Sequence, residues 1–220
     1  MWKYFTKRFC MMIVALFFII LLTFLIMHSV PGGPFTSNKN VSAEVEAALN
    51  AKYNLDAPLY EQFFDYLGGV VRGDFGPSYQ YRGKSVNDFI RNGFPVSAKL
   101  GVVTIIFVLL TAIPMGILAA VKNGKWQDMA IMAVATIGVT IPSFVIASVL
   151  IYIFSFRLNW LPTYGVDTWK GYILPVIALG GYSISYIARL MRSSLLEVMG
   201  QDYIRTARAK GLSETKVILR

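Results

Sequence analysis

The sequence contains one cysteine, Cys10, and one histidine, His28, among its 220 residues. A single thiol cannot form an intramolecular disulfide, and the two residues together cannot supply a cysteine–histidine metal site. No Ser–His–Asp set and no paired carboxylates with catalytic spacing are recognisable. These absences exclude a disulfide-stabilised secreted scaffold. They also predict a chain that is not an enzyme and holds no metal or cofactor of its own.

Charged residues are scarce, at 15% of the sequence, whereas soluble proteins average about 25%. The deficit is concentrated in four runs without Asp, Glu, Lys, Arg or His. These runs are residues 9–27, 100–121, 129–156 and 171–188. Each is close to the roughly 20 apolar residues that a helix needs to cross a bilayer. The sequence therefore predicts an all-α, polytopic membrane helix bundle with four spans.

The charges flanking these runs predict the orientation of the chain. Residues 1–8 carry Lys3, Lys7 and Arg8 and no acid, which places the N-terminus in the cytoplasm by the positive-inside rule. Residues 28–99 and 157–170 are then outside, and 122–128 and 189–220 inside. The net charge is +8 over the inside segments and +1 over the outside segments. Topology thus accounts for the total of +9, and no nucleic-acid partner is needed.

The first apolar run is predicted to stay as an anchor rather than be cleaved as a signal peptide. Its 19 residues exceed the about 7–15 residues of a signal peptide's apolar core, and no Ala-x-Ala site follows it.

The long outer segment beyond the first run is patterned as helices. Apolar residues recur at helical spacing in 45–53 and again in 59–70, and Ser85 to Asp88 has the spacing of a capping box. A helical extracytoplasmic loop over 31–95 is expected.

Each of the last three apolar runs contains one proline: Pro114, Pro142 or Pro175. Proline removes a backbone hydrogen bond from a membrane helix and kinks it, although proline is also commoner in such helices. The pattern favours a bent bundle that can move.

Small and polar residues suggest two further roles within the spans. A ridge of small residues at four-residue spacing is typical of close helix packing. A polar face in the third span could line a path, or could bond to a neighbouring helix or its own backbone. The ridge is Ala112, Gly116 and Ala120, and the polar face is Thr136, Thr140 and Ser143.

The absence of charge inside the apolar runs also bears on what could drive transport of a solute. Proton- and ion-coupled transporters and voltage sensors place ionisable groups within the membrane. A chain that moves a solute without such groups needs energy from a partner, and the cytoplasmic side is where that partner is expected.

The cytoplasmic segment 189–220 is the most informative part of the sequence. A charged helix follows the last span, and small residues then lead to Gly211, which is predicted to end the helix. Ser213 is suited to begin another helix. A lipid-surface helix would carry large apolar residues on its buried face, and the stretch from Thr206 to Gly211 has none. Docking to a protein groove is therefore favoured over binding to anionic lipid.

The segment from Tyr203 to Ser213 resembles the cytoplasmic loop motif of ATP-binding-cassette importer permeases, in the form used by the peptide and nickel group. Counted back from Gly211, Arg205 takes the Glu place of the general Glu-Ala-Ala motif, and Thr206 and Ala207 take the two Ala places. Other segments resemble this group too: 30–35, 53–59, 73–78, 86–95 and 159–162. The likeness covers essentially the whole chain and is greatest to oligopeptide permeases.

The resemblance implies a role and a set of partners. The chain would form half of a peptide path in a prokaryotic cell membrane, beside a homologous second permease subunit. Two cytoplasmic ATPase subunits would bind ATP and Mg, and an extracytoplasmic substrate-binding protein would deliver the solute. The resemblance implies an ATPase-coupling helix formed by Arg205, Thr206, Ala207, Arg208 and Gly211.

Four segments are predicted along the chain. Residues 1–30 hold the basic start and first span, 31–95 the outer loop, 96–190 the core of three spans, and 191–220 the coupling-helix region.

Permeases of this group continue into two more spans, so the chain is expected to be the first part of a longer subunit. A dipeptide or nickel permease, a channel, and a membrane scaffold that recruits a cytoplasmic partner without transport are the alternatives.

Overall fold

The computed structural model describes residues 1–29, 56–78, 81 and 83–219, with the side chain of Leu219 left aside. The predicted helical stripe at 45–53 lies outside these residues. The chain divides into two compact units, Met1–Phe94 and Pro95–Arg220. Within the described ranges all regular structure is helical, apart from one isolated antiparallel bridge between Pro77 and Ser85. The predicted all-α class is confirmed.

The first unit contains helix α1 (Trp2–Ser29), helix α2 (Leu59–Val71) and the start of helix α3 (Val86–Val121). The predicted stripe at 59–70 is thus a helix, and it begins directly after Pro58. Its buried residue Phe63 meets Phe24 of α1 edge to face, with ring centroids 5.4 Å apart. Aromatic burial of this kind holds α2 against α1.

The predicted capping box is present in one of its two bonds at the start of α3, and the Ser85 hydroxyl caps Asn87 instead of Asp88. The backbone N–H of Ser85 donates to Oδ2 of Asp88 over 2.9 Å, and the N–H of Asn87 donates to the Ser85 hydroxyl over 3.1 Å. The helix runs on through Pro95 and Pro114 without interruption. The helix that contains the second span therefore begins well before residue 100, the start of its uncharged run.

The second unit contains the rest of α3 and the elements that follow it. Helix α4 is Trp126–Thr140, α5 is Ser143–Leu150 and continues as a π-helical segment Ile151–Arg157, and α6 is Trp169–Met199. Two short helices end the described chain: α7 (Asp202–Ala209) and α8 (Glu214–Leu219).

Three helices among the described residues are long and apolar enough to cross a membrane, namely α1, α3 and α6. Helix α4 and the segment from α5 to Arg157 together pass the same test, but they are bent by 105° at the junction between them. Counting that bent pair as one span gives the predicted four.

The three span prolines behave differently. Pro114 and Pro175 lie inside α3 and α6, which continue past them. Only Pro142 coincides with a break, because α4 ends at Thr140 and α5 begins at Ser143. Ile141 between them has extended backbone angles, which the residue before a proline prefers.

Small residues form much of the core where helices of the second unit meet. The buried apolar residues of this unit are mostly alanine, with few large side chains among them. Close approach of backbones is the usual packing mode of membrane helices, since lipid offers no hydrophobic driving force between them. Gly138 of α4 shows this approach, because Gly181 and Ser185 of α6 lie so close that no side chain would fit at position 138.

Candidate functional site

The candidate site is the short helix α7 and the turn that joins it to α8. Gly211 has a φ of +80°. Its N–H donates to the carbonyl of Arg208 over 2.9 Å, and the N–H of Leu212 donates to the carbonyl of Ala207 over 3.3 Å. This pair of bonds is a Schellman motif, which satisfies the last carbonyls of a helix. The predicted helix end at Gly211 is confirmed.

Helix α7 has a covered side and an open side. Ile204 is buried, and Ala207, three residues later on the same face, is half-buried. Of the predicted coupling residues, Arg205, Thr206, Arg208 and Gly211 are exposed. Ala207 thus lies on the side turned toward the chain, and Thr206 lies on the open side.

The charges around α7 are partly paired within the chain. Arg208 donates through Nε to Oε1 of Glu214 over 2.8 Å and through Nη2 to Oε2 over 3.2 Å. Arg205 lies 3.7 Å from Asp202 through its Nη1, with both side chains largely exposed. Exposed pairs contribute about 0–1 kcal/mol. The Arg208–Glu214 pair joins the last turn of α7 to the start of α8.

An ion pair that the sequence did not predict joins α6 to the start of α4. Arg192 of α6 donates through Nε to Oδ1 of Asp128 over 2.6 Å and through Nη2 to Oδ2 over 2.7 Å. The N–H of Gly124 donates to Oδ2 over 3.0 Å, and Arg192 also donates to Oδ1 of Asn123 over 2.8 Å. The sequence signal was weak: Asp128 is the last charge before an apolar run.

The predicted packing ridge lies in the interior of the second unit. Ala112, Gly116 and Ala120 are all buried. Gly116 faces Met191 and Ala188 of α6, near the segment that leads to α7. Helix α3 therefore contacts α6 at Gly116, where no side chain separates the two helices.

The predicted polar face does not form one helix face. Thr136 and Thr140 are exposed on α4, and their hydroxyls donate to the carbonyls of Met132 and Thr136, both over 2.8 Å. Ser143 lies beyond the break and starts α5, where it borders a largely apolar cavity of about 550 Å³. The break at Pro142 separates the three residues, and their path-lining role remains a prediction.

Comparison with known proteins decides the family. Residues 112–220 match the family described as binding-protein-dependent transport system inner membrane component, and residues 1–101 match the N-terminal family of such membrane components. The chain belongs to the inner membrane permeases of binding-protein-dependent importers. The resemblance that the cytoplasmic motif suggested is confirmed, and so is a multi-pass location in the cell membrane.

Individual relatives agree over the whole chain. The oligopeptide transport system permease protein OppB of Haemophilus influenzae is 44% identical over all of this chain and 72% of its own length. The dipeptide transport system permease protein DppB of Bacillus subtilis is 40% identical over 99% of this chain and 71% of its own length. The glutathione transport system permease protein GsiC of Escherichia coli is 38% identical over all of this chain and 72% of its own length.

Membership of this family sets the general role of the permease. Its members are membrane components of transport systems, so the chain is not an enzyme, and the family brings no cofactor to this subunit. Such systems consist in general of paired permeases, ATPase subunits and a substrate-binding protein. Within the described residues, no three His, Cys, Asp or Glu side chains are grouped so that they could hold a metal ion.

Proposed function

We propose that this permease forms half of the path by which a complete importer moves oligopeptides into the cell, and that α7 couples the path to ATP hydrolysis. Similarity over this whole chain to an oligopeptide permease carries the proposal, together with a mostly exposed α7 that ends in a turn at Gly211. ATP and Mg are bound and used by two separate ATPase subunits. A second, homologous permease completes the path, and an extracytoplasmic binding protein supplies the peptide.

The geometry of α7 suits docking in a groove. The helix is only eight residues long, and its open side carries the small residue Thr206 beside the cationic Arg205. Arg208 lies nearer the covered side and pairs with Glu214. Small side chains let a helix seat closely, and guanidinium groups favour an acidic groove. The covered side, with Ile204 and Ala207, rests on the permease itself. Movement of α7 would therefore pass to the part of the chain that covers Ile204 and Ala207.

The path would be lined in part by Thr136 and Thr140. Both side chains are exposed on α4, in an apolar segment where lipid contact gives a hydroxyl no advantage. Each hydroxyl already donates to its own helix and retains acceptor capacity for a peptide N–H. Ser143 would lie at the bent junction beyond them. These roles are compatible with a second permease covering the same side.

The identity of the substrate is tested with the complete importer in cells that lack other peptide uptake systems. Uptake of a labelled tripeptide should be inhibited by unlabelled tetra- and pentapeptides, and only weakly by dipeptides or Ni²⁺. Inhibition mainly by dipeptides would assign the system to dipeptides, the solute named for the Bacillus relative. If ATPase and binding-protein subunits assemble with the permease but no peptide or nickel enters, the scaffold alternative replaces this proposal.

A further inference from the structure

Asp128 is the one buried side chain with a formal charge in the described part of the chain, at 4% exposure. Both of its carboxylate oxygens are occupied, Oδ1 by Arg192 and Oδ2 by Arg192 and the Gly124 N–H. Removing two charges from water is costly, and a buried pair often contributes no more stability than an apolar pair of the same volume. Stability alone is therefore a weak reason for this pair.

The pair joins segments that are far apart in the sequence. Asp128 lies in the first turn of α4, and Asn123 and Gly124 form the turn between α3 and α4. Arg192 lies on α6, two turns before that helix ends at Met199. Only Gly200 and Gln201 separate α6 from α7. Helix α7 is thus joined by a two-residue link to the helix that carries Arg192, and Arg192 is bonded to the start of α4.

A second contact holds α4 to α6 farther along. Gly138 of α4 faces Gly181 and Ser185 of α6, and a Cβ at Gly138 would lie 2.9 Å from the Gly181 carbonyl oxygen. The later contact on α4, at Gly138, is made with an earlier part of α6 than the contact at Asp128, so the two helices are antiparallel. Helix α4 is therefore attached to α6 near both of its ends. Just beyond the second attachment lies the bent junction at Ile141 and Pro142.

We propose that Asp128 and Arg192 are positioning residues that transmit movement of α7 to α4 and to the bent junction, so that each ATP hydrolysed produces movement of the path. The bidentate geometry suits this task because it fixes the angle of the guanidinium as well as its distance. The additional bond from Arg192 to Asn123 attaches the turn between α3 and α4 to α6 as well. This inference rests on the proposed function of α7.

The test measures peptide transported per ATP hydrolysed by the complete importer reconstituted in vesicles. Asp128→Asn removes the charge and leaves the Arg192 guanidinium without an ion-pair partner, and it should lower the ratio severalfold. Arg192→Lys keeps the charge without the fork and should give an intermediate ratio. Lys125→Gln removes a charge from the same turn without touching the pair, and should leave the ratio unchanged.

If Asp128→Asn fails to insert in the membrane, Asn123→Ala tests the same group of bonds around Arg192. It removes one exposed hydrogen bond to Arg192 and should lower the ratio by less than Asp128→Asn. An unchanged ratio in every assembled variant of the pair and of Asn123 would overturn the inference and leave the pair a purely structural role. The proposed function of α7 fails separately, when Gly211→Ala and Thr206→Trp both keep normal association with the ATPase subunits.

Discussion

A Cβ atom built on Gly116 would lie 2.6 Å from the Cβ of Met191 on the neighbouring helix, and 2.7 Å from the carbonyl oxygen of Ala188. Real side chains do not approach so closely, so one helix must move if Gly116 gains a methyl group. Helices α3 and α6 therefore meet where the backbone of Gly116 itself forms the contact surface.

Gly116→Ala should destabilise the permease by about 1–3 kcal/mol, the usual cost of overpacking a core. Gly101→Ala is the matched control, because it lies on the same helix and no heavy atom would lie within 4 Å of its new Cβ. Thermal unfolding of the full-length subunit in detergent measures both. Equal midpoints for the two variants would show that α3 and α6 do not rely on this contact.

Gly211→Ala should weaken association with the ATPase subunits, because a residue with a side chain is strained at a φ of +80° by about 1–3 kcal/mol. Gly200→Ala is its control: Gly200 has a φ of −81°, which alanine adopts readily. Co-purification of the ATPase subunits and uptake should fall for Gly211→Ala alone. Normal co-purification of both variants would mean that the turn after α7 is not needed for docking.

Thr206→Trp should block docking, because Thr206 is on the open side of α7 and a large ring would hold a partner surface away. Thr206→Ala loses only the hydroxyl, whose bond of 3.0 Å goes to the Asp202 carbonyl of the same helix, and should dock normally. Both variants should insert in the membrane. Co-purification with the ATPase subunits separates them, and equal recovery would remove Thr206 from the docking surface.

The orientation of the chain is tested by single cysteines in a Cys10→Ser background. A cysteine at Tyr164, which is 90% exposed, should react with an impermeant thiol reagent added outside intact cells. A cysteine at Lys125 should react only after the cells are opened. Labelling of position 125 in intact cells would reverse the topology that the charge distribution predicts.

The sequence alone predicted the elements whose causes are local. Uncharged runs predicted the four spans, and Gly211 predicted the end of α7, because a left-handed residue after a helix strongly favours glycine. The box at Ser85 and Asp88 likewise needs only neighbouring residues. Within the site, the sequence identified α7 as the element to examine.

Features that depend on distant neighbours could not be predicted in this way. Pro114 and Pro175 lie within continuous helices and Pro142 lies at a break, although each is one proline in an apolar run, so the proline alone does not determine where a helix ends. The pairing of Asp128 with Arg192 depends on the register of α4 against α6. Which side of α7 is covered, and hence the orientation of Ala207, depends on the same packing.

The central claim is that this permease works in an importer driven by ATP. It is tested most directly with the complete importer, loaded with peptide-bound binding protein, in vesicles that contain ATP and Mg. Peptide should accumulate at an undiminished rate when an uncoupler collapses the proton gradient, and should not accumulate when ATP is replaced by ADP. Uptake that continues without ATP and stops with the uncoupler would contradict the claim and indicate a proton-coupled transporter.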